Sequence, residues 1–271
     1  LCLRSWKHLR KTKKRTRRIE TEEKISFWKG EHIAMCKVII CANQKGGVGK
    51  TTLCALFANY LDNKNVPLLV LDADIQQTLK DRRDDDLKQL KQNYSEEDVS
   101  KMVHYNIRSV TISNQKNTHN IMEFLKSQKA TIIIDTPGNL TQDGFVELIA
   151  STDYIICPYH YDMNTLRSTR AFALTVLRLK QSYPKIKARL LFVCNNHEKN
   201  VGKSDELQVF KKIDDYFQKF GIIVPRIFHR AEIPRYNTIS NSKEVDKMLR
   251  PCFESLFETI YTNKETDHGN V

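Results

Sequence analysis

NQKGGVGKTT, residues 43–52, follows the apolar run CKVIICA at 36–42 and leads into a stretch of helical period. Gly46, Gly47 and Gly49 let a main chain approach phosphate oxygens closely, and the amides at the start of the following helix point at the anion. Lys50 is placed to reach the β- and γ-phosphates, and the Thr51 hydroxyl to ligate Mg²⁺. Residues Gly46, Gly47, Val48, Gly49, Lys50, Thr51 and Thr52 are therefore the expected nucleotide-binding loop. Gln44 stands where the first glycine of GxxxxGK[ST] belongs, so the loop is a variant. It also holds a second lysine, Lys45, that a phosphate loop does not need.

Working outward, short apolar runs alternate with helical periodicity. The runs are Lys37–Ala42, Pro67–Leu71, Thr131–Ile134, Tyr154–Pro158, Leu190–Cys194 and Ile222–Phe228. Helices are predicted over 50–62, 78–92, 118–127, 141–150, 164–182, 204–219 and 243–261. The runs are nearly continuous Val, Ile and Leu, as strands covered on both faces must be. This alternation predicts an α/β fold, a doubly wound, mostly parallel sheet. The stretch 93–117 is the least readable, an excursion ending in a short strand near 107–112. Ligands of such sheets bind at the carboxyl ends of the strands, so the chemistry is expected there.

Three further strand ends carry polar motifs. VLDADIQQT (70–78) ends a strand in Asp72 and Asp74, and TIIIDTPG (131–138) delivers Asp135 from a buried apolar strand. That placement suits a carboxylate that orients a Mg²⁺-bound water. LLFVCNN (190–196) ends in two asparagines.

Together these residues resemble the ParA/MinD class of P-loop ATPases, whose signature is a lysine near the start of the loop, and ANQKGGVGKTT is similar to the ParA partition branch. The resemblance implies a P-loop NTPase fold binding ATP and Mg²⁺, and slow ATP hydrolysis until a ParB-like or other partner stimulates it. It also implies a homodimer formed on ATP binding. Lys45 then crosses to the other subunit and touches its nucleotide, offsetting charge on phosphoryl oxygens as an arginine finger does. Asp74 carries over as the residue positioning the attacking water, within a first switch that includes Gln76, with Asp72 near the metal beside Thr51 and Asp135. Ile75 replaces the family's proline, which leaves the backbone path there open. Thr136, Pro137 and Gly138 form the second switch. Asn195 is expected to read adenine, with Asn196 next and a plain turn as the alternative. Pro158, in ICPYHYD (156–162), is expected to be a turn residue, and His160 a surface residue rather than a catalytic one. The match runs from Met35 to about Tyr261, and DADIQQTLKDRRDDD and HYDMNTLRSTRAFALTVL resemble the ParA-like proteins of Bacteroidetes conjugative elements.

Charge divides the chain. The formal net charge is +12, of which residues 1–34 hold +7 from 11 Lys/Arg against four Glu. This head is expected to be basic and disordered. The chain opens on Leu1, and Met35 directly precedes the first strand, which favours initiation at Met35 over a DNA-touching arm. The domain is expected to span 35–261, followed by a tail at 262–271. The seven cysteines form no CxxC pair and no cluster with histidines at metal spacing, so buried, reduced thiols in a cytoplasmic protein are expected.

In the partition branch, the ATP-bound dimer binds nonspecific DNA through Lys/Arg contacts to phosphates, which implies nucleoid association in that state. Basic residues between 178 and 250, among them Arg178, Lys187, Arg189, Lys211, Arg230 and Arg235, are available for such a face, although each alone reads as solvated surface. No apolar stretch approaches the ~18 residues that span a bilayer. The C-terminal FESLFETIYTNKETDHGNV is acidic to neutral, unlike a membrane-binding amphipathic helix. The predicted role is partition or maintenance of a plasmid, chromosome or mobile DNA element. The rival is a positioning ATPase with the same core whose cargo is a protein complex, such as conjugation machinery.

Overall fold

The computed structural model describes residues 37–112, 114–138, 144–198 and 204–262. Within them lie β1 (Val38–Cys41), α1 (Lys50–Asn63), β2 (Leu68–Asp72), α2 (Thr78–Asn93), α3 (Glu96–Ser100), β3 (Asn106–Ser109), α4 (Gln115–Lys126) and β4 (Thr131–Asp135). There follow α5 (Phe145–Ala150), β5 (Tyr154–Tyr159), α6 (Met163–Ser182), β6 (Arg189–Cys194), α7 (Ser204–Phe217), β7 (Gly221–Ile223), a 3₁₀ turn (Ile233–Arg235) and α8 (Lys243–Tyr261). The expected basic head, and the tail beyond Thr262, lie outside the described residues.

All pairings in the seven-stranded sheet are parallel, in the order β3-β2-β4-β1-β5-β6-β7. The phosphate-loop strand β1 is therefore central, between β4 and β5. Alternate strand residues feed two cores. Ile39, Val70, Ile133, Ile156 and Leu191 pack against α1, α2 and α8, while Ile40, Leu71, Ile134, Ile155 and Phe192 pack against α4 to α7. Both sets are apolar because both faces are covered, which is why the strands read as continuous runs. Helix α1 is buried from Leu53 to Leu61, sandwiched between the sheet and α8, where Phe57 and Tyr60 meet the Phe253 ring edge-on at 5.3 and 5.5 Å.

Polar side chains fasten the helix after the second strand. Asp72, at the end of β2, accepts the amides of Leu79 and Lys80 (both 2.9 Å) in the first turn of α2. Farther along α2, Asp86 accepts both the amide and the hydroxyl of Thr238 at 2.7 and 2.8 Å. Beside it, Arg82 donates to the Tyr236 carbonyl.

Three expectations are revised. The strand predicted at Ile222–Phe228 ends at Ile223, because Pro225 has no N–H to donate to a ladder. Beyond Ile223 the chain stays beside β6 through Val224 N–H to the Phe192 carbonyl (3.1 Å), Ile227 N–H to the Cys194 carbonyl (2.8 Å) and a bridge between His197 and Phe228. Pro158 is not a turn residue but lies inside β5, paired with Val193. It is tolerated where β1 is leaving its side, and its free carbonyl is taken by the Asn43 amide at 2.7 Å. In the excursion, α3 precedes the expected short strand, with Ser95 accepting the Asp98 amide and Glu96, Glu97 and Asp98 in its first turn. The part of the predicted 141–150 helix before residue 144 lies outside the described residues.

Candidate nucleotide site

The turn between β1 and α1 is built by glycines in conformations that other residues avoid. Gly47 and Gly49 have φ of 78° and 90°. Gly49 is also sterically locked, since a Cβ there would lie 2.3 Å from Asn195 Nδ2. Residues 44–47 are exposed, Val48 is buried, and Thr51 and Thr52 are half-buried in the first turn of α1. The amides of that turn open toward the mouth of the loop.

The two lysines take opposite positions. Lys50 is buried to 7% exposure and donates its ammonium to the Lys45 carbonyl at 3.0 Å. Burial lowers its pKa, while Asp135 and then Asp74 pull it back up. Lys45 is exposed, yet its amide is held by Asn43 Oδ1 at 3.2 Å. Its backbone is thus gripped on both sides, while its side chain has no partner among the described residues.

The expected carboxylates converge at the ends of β2 and β4, where Asp72 and Asp135 are direct register partners. They do different things. Asp72 spends its oxygens on the amides of Asp74 (3.1 Å), Leu79 and Lys80, so it fixes the start of α2. Burial raises its pKa and those three amides oppose the rise. Asp135 is 1% exposed; the Thr51 hydroxyl is near enough to act on its carboxylate, yet neither oxygen has a partner in good hydrogen-bond geometry. Burial pushes its carboxyl up to about 7, against the pull of the Thr51 hydroxyl and the Lys50 ammonium. A buried carboxylate with both oxygens free, beside a threonine hydroxyl at a phosphate loop, fits a hard divalent cation, which takes oxygen ligands from protein and phosphate together. Among the described residues no cluster of three His, Cys, Asp or Glu side chains is placed to hold a metal ion by itself.

The segment expected to form the first switch follows Asp72 directly. Asp74 is half-buried, and its carboxylate accepts the Gln76 amide at 3.0 Å while its carbonyl accepts Gln77 N–H at 3.0 Å. Ile75 is 77% exposed at the crest of this turn, and Gln77 enters α2 at φ 49°. The backbone path left open by the missing proline is thus a tight turn closed by Asp74 itself. In the segment expected to form the second switch, the Thr136 hydroxyl donates to the Cys41 carbonyl at 2.8 Å, tying it to β1. Gly138 lies against the loop, where a Cβ would stand 3.5 Å from Gly46 N and 3.6 Å from Lys50 Nζ.

Asn195 also sits at the loop. Its Nδ2 donates to the Val48 carbonyl at 3.0 Å and its Oδ1 accepts Asn196 N–H at 2.9 Å, so the side chain props the turn. Asn196 takes φ 54° and its Oδ1 meets the His229 ring at 2.6 Å. His160 is half-buried rather than a surface residue; burial lowers its pKa, and its Nε2 is enclosed without a partner. The five cysteines among the described residues are free and buried.

Two features escaped the sequence reading. One is Asn43, fully buried, whose Nδ2 donates to the Pro158 carbonyl (2.7 Å) and Thr169 Oγ1 (2.8 Å). The other is a cluster beyond β5, where Asp214 accepts the hydroxyls of Tyr159 and Tyr161 (both 2.7 Å) and the Arg226 guanidinium (2.8 Å). The Tyr161 ring stacks on Phe210 at 4.2 Å. Its only sequence signal was polar aromatics ending an apolar strand.

A profile of the CobQ/CobB/MinD/ParA nucleotide binding domain matches residues 39–240. The chain belongs to this family. Solved structures agree in fold. A plasmid partition protein from Borrelia burgdorferi superposes with a TM-score of 0.57 at 19% identity, covering 84% of this chain and 100% of that one. A McdA–ATP complex from Cyanothece gives 0.63 at 16% identity, covering 86% and 99%. MinD in the MinC:MinD cell division complex of Aquifex aeolicus gives 0.56 at 17%, covering 85% and 98%. Identities this low establish the fold alone. A search of curated proteins gave no match. For this ParA/MinD-type chain, the glycine turn, Lys50 and Asp135 thus lie where the parallel sheet places its ligand.

Proposed function

We propose that the protein is a Mg·ATP-dependent ATPase that dimerises around nucleotide and serves as a switch in the partition or maintenance of a DNA element. One observation carries this reading: Lys45 has its backbone fixed inside the turn and its side chain free in solvent, next to a Lys50 that is buried and already committed to the site. A single phosphate needs one interior lysine. An exposed second one, held in a rigid frame, suits the nucleotide of a facing copy.

The loop amides and Lys50 bind the phosphates, and Thr51 and Asp135 would hold Mg²⁺, which would supply charge neutralisation at the phosphates. Asp72 orients the first switch rather than giving its oxygens to the metal. Asp74 orients the attacking water, and Gly138, against Lys50 Nζ, offers its amide to the γ-phosphate. Charge developing on the phosphoryl oxygens is met by Lys50 and by Lys45 of the facing copy. The fold is shared with a plasmid partition protein and with an ATP-bound McdA, which is in keeping with an ATP-driven role of this kind. Among the described residues no helix is long and apolar enough to cross a membrane.

Sedimentation with a nonhydrolysable ATP analogue and Mg²⁺ tests the reading. A dimer is expected, and a monomer at concentrations where the analogue is bound overturns it. The DNA step is tested by binding to nonspecific duplex with ATP, with ADP and in rising salt. ATP-dependent, salt-sensitive binding is expected, and its absence moves the cargo to protein.

A further inference from the structure

We propose that Asn43 is the positioning residue for Lys45, aiming the lysine by anchoring the mouth of the loop to β5 and α6. The proposal rests on the reading of Lys45 as a cation lent to a facing copy. Asn43 is 0% exposed. Every hydrogen-bonding direction it uses is accounted for by the fold. Nδ2 donates to the Pro158 carbonyl and to Thr169 Oγ1, and Oδ1 accepts the Lys45 amide. Thr169 Oγ1 in turn donates to the Thr165 carbonyl at 2.8 Å, and the Thr165 amide is capped by Asp162 at 2.9 Å.

The chain of bonds is therefore Lys45, Asn43, Thr169, Thr165, Asp162, running from the exposed lysine to the first turn of α6. Pro158 adds a second anchor. Because proline lacks an N–H, β1 can diverge from β5 at this level, and the amide of Asn43 fills the gap. A residue with both a donor and an acceptor on one planar group can bridge the two strands and hold the loop together. Ser or Asp at 43 cannot reproduce all three bonds.

The consequence is specific. The amide of Lys45 has no other partner among the described residues, so without Asn43 its peptide plane is free to turn, and the ammonium five bonds farther out swings by much more. Lys50 and the amides at the start of α1 lie on other peptide units than the one Asn43 holds. Asn43 should therefore act on turnover through Lys45 and little on nucleotide affinity.

A double-mutant cycle tests this, using the full chain with MgATP and measuring the ATP dissociation constant and kcat as a function of protein concentration. Asn43→Ala is expected to lower kcat by roughly tenfold or more, with affinity held within about threefold. Thr169→Val is expected to lower kcat less, with Thr169→Ser retaining the parental rate. In a Lys45→Ala background, Asn43→Ala is expected to add no further loss. Multiplying losses in the double variant overturn the proposal, as does a loss confined to affinity. A parental rate for Lys45→Ala overturns the facing-copy reading and this proposal together. If Asn43→Ala does not fold, Thr169→Val with and without Lys45→Ala carries the same cycle, and multiplying losses or a parental rate for Thr169→Val overturn it.

Discussion

Lys50 donates a hydrogen bond from its ammonium to the carbonyl oxygen of Lys45 at 3.0 Å, so the two lysines of the loop are joined through a backbone atom. The bond satisfies a buried cation and at the same time sets the turn from which the exposed lysine projects. The two side chains should thus fail differently when removed. Lys50→Ala should abolish detectable ATP binding, read by calorimetry. Lys45→Ala should leave binding within about threefold and lower hydrolysis at least tenfold, since a cation supplied in trans to a phosphoryl group is worth roughly 10³-fold or more.

The free carboxylate of Asp135 makes a stability prediction. Its folded pKa, about 7, lies above the ordinary value of 3.8 because of burial. The unfolded chain therefore releases this proton before the folded one does. The fold carries no penalty below pH 3.8, loses stability as pH rises from there, and has lost the full amount above about 7. The span corresponds to on the order of 4 kcal/mol. Asp135→Asn should raise the Tm of the nucleotide-free protein at pH 8 and flatten this fall, while eliminating hydrolysis. A lower Tm for the variant at pH 8 would count against the burial account.

Gly49 should tolerate no side chain. Alanine there meets Asn195 Nδ2 at 2.3 Å and must adopt φ 90°. Gly49→Ala should cost about 2 kcal/mol or more in urea unfolding. Adding Asn195→Ala should recover only the steric part, because the backbone strain persists.

Asp72 should separate binding from turnover. Asp72→Asn keeps one acceptor but turns an NH₂ toward the amides of Asp74, Leu79 or Lys80. Loss of these charge-assisted bonds should cost about 1–3 kcal/mol. ATP affinity should change little, and kcat should fall because the Asp74 turn is no longer fixed. Equal losses in both would assign Asp72 to the metal instead.

Asp214 should matter to the fold. It gathers three donors, from Tyr159, Tyr161 and Arg226. Asp214→Ala strands a partly buried guanidinium and a fully buried phenol, and should lower unfolding stability by about 2–4 kcal/mol.

The elements that repeat a period were legible in the chain. β1, β2, β4 and β6 announced themselves as apolar runs, and α1, α2 and α8 closed within a residue or so of the predicted bounds. So did the convergence of the glycine turn, Asp72, Asp74 and Asp135, because parallel topology sends every strand's carboxyl end to one rim. What stayed hidden depended on partners distant in sequence. Asn43 reads as an ordinary turn residue until Pro158 and Thr169 arrive more than a hundred positions later. The different tasks of Asp72 and Asp135 follow from which carboxylate the start of α2 reaches, and spacing does not encode that. Pro158 misled because a proline ends a strand in most contexts; here its neighbour had already turned away.

The fastening of α2 determines how the molecule can move. With Asp72 tying its first turn to the sheet and Asp86 and Arg82 tying its middle to residues 236–238, the helix is held at two levels. Between β2 and α2, the slack is left to the four residues from Asp74 to Gln77. That short crank carries Ile75, 77% exposed, at its tip.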